Sequence, residues 1–193
     1  RDWVGKGNQK GWVFGIGYDQ NLLPEGKHIT RRDLDRISRE RPVAVRHTSG
    51  HCTVVNSRAL ELAGVTAQTP DPPDGRIVRD ESGEPTGVLL ERAWLLVERT
   101  IPPLSVDEIA QAVRRIGEVM ARRGILSASD ATTGRYSGIE NEWRGFVRAL
   151  EEGVKVRMTL MPDYDQVEKS GWLSDRQQAV VPRLHPDLRL GAI

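Results

Sequence analysis

The chain has one cysteine in 193 residues. A lone thiol makes neither an internal disulfide nor a four-cysteine zinc site. That scarcity fits a reducing, cytoplasmic setting. Two phenylalanines and three methionines leave only a thin supply of large core groups. No apolar run approaches the roughly 18 residues that a membrane-spanning helix requires, so no membrane partner is expected. The opening "RDWVGKGN" carries no apolar signal core and no initiator methionine. Such a start fits a processed chain, a trimmed one or a piece of a longer protein. Neither sign of charge prevails: 28 Lys plus Arg face 27 Asp plus Glu, for a net charge of +1. A global attraction to nucleic acid is excluded on that balance. The arginine pairs Arg31-Arg32 and Arg114-Arg115 lie in helix-like segments and read as solvated faces. Phosphate-binding signatures are also missing. "GIGYDQ" lacks the third glycine and the following helix of a dinucleotide fingerprint. There is no P-loop and no G-x-S-x-G elbow.

What is present divides near residue 100. In the first half, "GWVFGIGY" reads as a strand entering a turn-rich loop. Thr30 and Asp33 resemble a capping box ahead of a helix whose apolar face carries Leu34 and Ile37. "PVAVRH" is β-prone, with Pro42 tolerable at its start. "NSRALELAG" predicts a short helix capped by Asn56 or Ser57 and closed by Gly64. "RIVRD", "ESGEP" and "TGVLLE" form strand, turn and strand, a small hairpin. In the second half, Ser105 and Glu108 open a helix with a stripe of Ile109, Val113, Ile116 and Met120. "ILSASDA" reads as a buried strand. Ser137 and Glu140 form a second capping box before a face of Ile139, Trp143, Phe146, Val147 and Leu150. "VKVRMTLMPD" alternates Val154, Val156, Met158 and Leu160 in a strand period. A polar, weakly helical stretch runs to Pro182, and "DLRLGAI" begins a third strand. The order α-β-α-β-(α)-β implies parallel strands with helical crossovers, compatible with a doubly wound sheet or part of a (β/α) barrel.

The candidates for chemistry cluster around "RHTSGHCTVVNS", where His47 and His51 stand four residues apart. Zinc ligands must converge to roughly 2.0–2.1 Å from the ion. On an extended strand this offset spans about 13 Å, so only a tight turn at Ser49-Gly50 could join the rings. No glutamate follows His47, so the H-E-x-x-H arrangement is absent. Three readings stay open: a two-histidine metal site, histidines hydrogen-bonded within a structured turn, or groups lining a substrate pocket. Cys52 next to His51 suggests a Cys–His nucleophile, but neighbours on a strand face opposite ways, which favours a buried apolar cysteine. Glu91 ends the run "GVLL", either at a catalytic strand terminus or at the start of a helix. Asp130 ends "LSASD" with the same two readings, site group or turn cap. Asp19 in "GYDQ" is a pocket group or an Asx-turn former, with the turn slightly favoured.

Three stretches in order, "GWVFGIGYDQ", "LDRISRERPVAVRHTSGHCTVVNSRALELAGV" and "DPPDGRIVRDESGEPTGVLLERA", resemble the metal-dependent amidohydrolase superfamily, in the branch with N-substituted formamide deformylases. The matching motifs run from Gly50-His51 through Asn56-Ser57 to Ala59-Leu60, and from Pro85-Thr86-Gly87 through Leu89 to Glu91. The resemblance covers nearly the whole chain. It implies an α/β fold: a partial (β/α) barrel, roughly strands two to four, over residues 101–193, and a mixed α+β insertion at the N-terminal side over residues 1–100. It implies hydrolysis of a C–N bond in a small-molecule amide or formamide by a metal-activated water, with a divalent metal, zinc expected, in the full-length parent. The family's ligands include an H-x-H after the first strand, a lysine or glutamate on a middle strand, and later histidines and an aspartate. No H-x-H occurs here. The chain stops at Ile193, where the family places a lysine after its fourth strand. The expectation is a segment that holds no metal and is inactive alone. His51, Asn56, His47, Asp19 and Glu91 are expected on the substrate side, with no catalytic residue and no metal ligand among them. Open sheet edges lead us to expect self-association. The alternative is a non-catalytic α/β binding or interaction module.

Overall fold

Alternating side chains decide the first unit, Arg1–Pro102. The computed structural model describes residues 11–170 and 185–191. Five strands form one mixed sheet: β1 (Val13–Tyr18), β2 (Val43–His47), β3 (Cys52–Val55), β4 (Gly75–Arg79) and β5 (Pro85–Glu91), in the spatial order β1-β2-β3-β5-β4. β1 and β2 are parallel; the other pairs are antiparallel. Because strand side chains alternate, each strand feeds two cores. Ala44, Val55, Ile77 and Leu89 pack on one face with Trp12, Leu60 and Val97. Val43, Cys52, Val54 and Val88 pack on the other with Leu34. Each such large aliphatic group contributes about 1.5–3 kcal/mol of burial.

Helices seal both faces. α1 (Arg31–Asp35) brings Leu34 to the second core, and the Thr30 amide donates to Asp33 Oδ2 at 2.9 Å, the predicted cap. It stops after five residues, so Ile37 falls off its face and is 47% exposed, against the sequence expectation. α2 (Ser57–Ala63) is capped by Asn56 and closed by left-handed Gly64, as its sequence predicts. α3 (Leu95–Glu98) follows a 3-10 turn at Arg92–Trp94. Gly87 in the "PTG" motif has φ +92°, and a Cβ there would lie 2.3 Å from the Val55 carbonyl oxygen. Only glycine fits that crossing.

The second unit, Pro103–Ile193, has three parallel strands in sequential order: β6 (Ser127–Thr133), β7 (Arg157–Pro162) and β8 (Leu188–Leu190). α4 (Val106–Arg122) and α5 (Ile139–Glu151) pack on them through Ile109, Val113, Trp143, Leu150, Val156, Met158 and Leu160. α6 (Tyr164–Ser170) lies between β7 and β8 in sequence. The rest of the polar stretch, 171–184, lies outside the described residues.

Three local expectations for this unit are corrected. Ile116 is 46% exposed; the inward position belongs to Gly117, where a Cβ would meet Val154 Cγ1 at 2.8 Å. The strand "ILSASDA" is not buried: Leu126 is 65% exposed, because β6 is an edge of the sheet among the described residues. Ser137 does not cap α5. Its Oγ accepts from the Leu104 amide at 3.0 Å, and Gly138 occupies the cap position. Glu142 organises that loop instead, taking the Gly134, Tyr136 and Ser137 amides at 2.5, 3.0 and 2.6 Å.

Candidate functional site

Strand direction alone gathers most of the candidate residues. β1 and β2 run parallel, so Tyr18 and His47 end side by side. β3 returns antiparallel, so His51 and Cys52 begin at that same end. β5 runs antiparallel to β3, and Cys52 faces Leu90, so Glu91 arrives there too. Asp19, His47, His51 and Glu91 thus share one rim of the sheet. Asn56 follows Val55 at the opposite end of β3.

The tight turn between β2 and β3 exists, with Gly50 at φ +80° and its amide donating to the His47 carbonyl at 3.0 Å. Arg46 closes it by donating to the Gly50 carbonyl at 3.1 and 3.3 Å. The two histidines nevertheless take different partners. The Ser49 amide, an obligate donor, reaches His47 Nδ1 at 3.0 Å, so the neutral ring carries its proton on Nε2. That Nε2 is buried and makes no hydrogen bond; Asp19 Oδ1 lies 3.8 Å away. His51 Nδ1 meets Glu91 Oε2 at 3.0 Å in an exposed pair. A carboxylate only accepts, so here Nδ1 carries the proton.

Around His47 stands a cluster that sequence reading missed. The rings of Tyr18, His28 and His47 meet edge to face, with centroids 5.1 to 6.0 Å apart. Tyr18 OH lies 2.9 Å from His28 Nδ1 and 3.5 Å from Cys52 Sγ. Burial pushes the Tyr18 phenol far above its ordinary value, helped by its bond to Cys52. Burial also raises the Cys52 thiol, against the pull of Tyr18. His28 is lowered by burial first and then by His47. All three shifts favour the uncharged forms of Tyr18, Cys52 and His28. Cys52 is a buried thiol turned toward Tyr18 and His28, rather than a nucleophile paired with His51. No spacing rule singles out His28 in "GKHIT"; Tyr18 had a signal only as the neighbour of Asp19.

The remaining candidates resolve locally. Asp19 Oδ1 accepts from the Asn21 amide at 2.9 Å, the favoured Asx turn. Asn56 is fully buried. Its Oδ1 accepts from Val43 and Ala59 amides, and its Nδ2 donates to the Ser38 and Arg41 carbonyls, so its side chain holds backbone rather than facing a pocket. Asp130, in the second unit, accepts from Thr133 Oγ1. Glu91 precedes the 3-10 turn but makes no side-chain cap.

Does this rim suit a divalent metal? Catalytic zinc takes three protein ligands and a water. Among the described residues, no group of three or more His, Cys, Asp or Glu is placed to hold an ion. The nearest assembly, Asp19, His28, His47 and Cys52, has a protonated thiol, and two imidazole nitrogens already face Tyr18 and Ser49. These residues do not fit the metal that the family resemblance implies.

Residues 1–186 match the Amidohydrolase family. YtcJ of Bacillus subtilis, which carries an amidohydrolase name, is 30% identical over 159 residues, 82% of this chain and 30% of its own length. The N-substituted formamide deformylase of Arthrobacter pascens is 43% identical over 82 residues, 42% of this chain and 15% of that protein. An uncharacterised metal-dependent hydrolase from Pyrococcus furiosus superposes with TM-score 0.60 at 24% identity, over 94% of this chain and 34% of that one. The chain thus spans about a third or less of these relatives. With nearly its full length inside the match, the chain belongs to the amidohydrolase family.

Proposed function

We propose that this chain is a segment of an amidohydrolase that cleaves the C–N bond of a small amide or formamide. In this reading its own residues supply a substrate-facing rim, and the metal ligands, with zinc the expected ion, come from elsewhere in the longer protein. The observation that carries it is the convergence of Asp19, His47, His51 and Glu91, drawn from three separate stretches of the sequence, on one sheet end. Separate loops brought to one end of a rigid sheet are the usual platform for binding. The formamide-cleaving name of one relative supports the choice of bond. β6, β7 and β8 are read as barrel strands two to four, which their sequential parallel order supports. We place the protein in the cytoplasm, without nucleic-acid or membrane partners; among the described residues no helix is long and apolar enough to cross a membrane. Self-association is proposed through the edge strand β6.

The test compares the 193-residue chain with the full product of its gene. Metal analysis and a hydrolysis assay on N-substituted formamides and simple amides are run on both. The chain alone is expected to show neither stoichiometric zinc nor turnover, and the full product both. Turnover by the chain with its own zinc overturns the segment reading. A full product that cleaves no amide overturns the C–N assignment.

A further inference from the structure

Glu91 is the only non-glycine residue besides Asp74 with a positive φ among the described residues. Its φ of 49° and ψ of −127° place an L residue where side chain and backbone crowd. The fold holds it there from two sides. Its amide donates to the His51 carbonyl at 2.9 Å, and the next amide, Arg92, donates to the Asp74 carbonyl at 3.1 Å. Behind it, Gly75 admits the turn so closely that a Cβ would sit 2.3 Å from the Ala93 nitrogen. Such strain persists only where surrounding bonds over-determine it, and it collects at working sites. A glycine would relieve it, yet the residue is a glutamate whose carboxylate reaches His51.

We propose that Glu91 is a positioning residue for His51. It is tied to His51 twice, through the backbone bond and through Nδ1 to Oε2 at 3.0 Å. An ordinary exposed ion pair joins two free side chains and holds little. Here the strained, doubly braced backbone sets the origin and direction of the Glu91 side chain before the ring meets it. The carboxylate selects the Nδ1–H tautomer and fixes the ring plane. In the neutral ring, Nε2 becomes an unprotonated acceptor on the exposed side of the rim. His47, bound through Nδ1 by the Ser49 amide, is held in the opposite tautomer with its Nε2 buried. The two histidines flanking one turn therefore divide the work: His47 braces the wall, and His51 presents a lone pair. The group it suits is a hydrogen-bond donor such as the N–H of an amide, a step that rests on the function proposed above.

The experiment is long-range 1H–15N correlation on the labelled chain, at a pH where the imidazoles are neutral. His51 is expected as the Nδ1–H tautomer and His47 as Nε2–H. Glu91→Gln retains an acceptor oxygen and should keep the His51 tautomer. Glu91→Gly removes the carboxylate and the strain, and should switch the majority to Nε2–H. A wild-type His51 in the Nε2–H form, or one unmoved in Glu91→Gly, overturns the proposal. If Glu91→Gly fails to fold, the wild-type and Glu91→Gln tautomers still decide it. Adding N-benzylformamide should shift the His51 Nε2 resonance in the wild type and not in Glu91→Gly. Absence of that shift, with the tautomers as predicted, overturns the amide reading and leaves the pair standing.

Discussion

Asn56→Ala removes four hydrogen bonds from one fully buried position. Oδ1 holds the Val43 and Ala59 amides at 2.9 and 3.0 Å; Nδ2 holds the Ser38 and Arg41 carbonyls at 2.8 and 2.9 Å. Losing the cap of α2 costs about 1 kcal/mol. The Val43 amide, stranded at the start of a buried strand, adds about 1–3 kcal/mol. The two carbonyls keep a second lone pair each and add less. The total is about 3–5 kcal/mol, a large part of the about 5–15 kcal/mol that holds a typical domain. The assay is amide hydrogen exchange on the intact chain. Exchange at Val43 and Ala59 should accelerate on the order of 10²–10⁴-fold, at 1.4 kcal/mol per tenfold. Amides of β7, which no bond of Asn56 reaches, serve as internal reference. An acceleration below about tenfold at both sites would refute the claim that this side chain pins β2 to α2.

Two further outcomes are expected. Glu142→Gln leaves one acceptor oxygen where three amides now converge, and turns an NH2 group toward N–H donors; it should cost about 2–4 kcal/mol in thermal or urea unfolding, and an unchanged midpoint would contradict the loop-organising role. Asp71 is held below the usual carboxylate range, first by the Ile77 amide and then by Arg79. Because its folded value is depressed, its stabilising contribution is present above the ordinary aspartate value and is lost as pH falls through the folded one. An NMR titration placing Asp71 at or above an ordinary aspartate would remove that contribution.

Composition and local pattern determined a good deal about this protein. The caps at Thr30, Asn56 and Ser105, the β4–β5 hairpin and the strand period of β7 follow from residues within a few positions of one another, where turn chemistry and side-chain periodicity act directly. The motifs around His51 and Glu91 mark the family in the sequence itself. Local pattern failed where a distant neighbour competed: Ser137 turns to Leu104 instead of capping its helix, and Val154 claims the space beside Gly117. The site itself belongs to tertiary structure. His51 and Glu91 are 40 residues apart and meet only because β3 and β5 pair in one register. His28 reaches Tyr18 and His47 across a loop that no periodicity describes. Pairing between strands far apart in sequence carries no local code for its partner. It is selected by burying both sheet faces at once, and which polar groups then share a rim is a consequence of that packing.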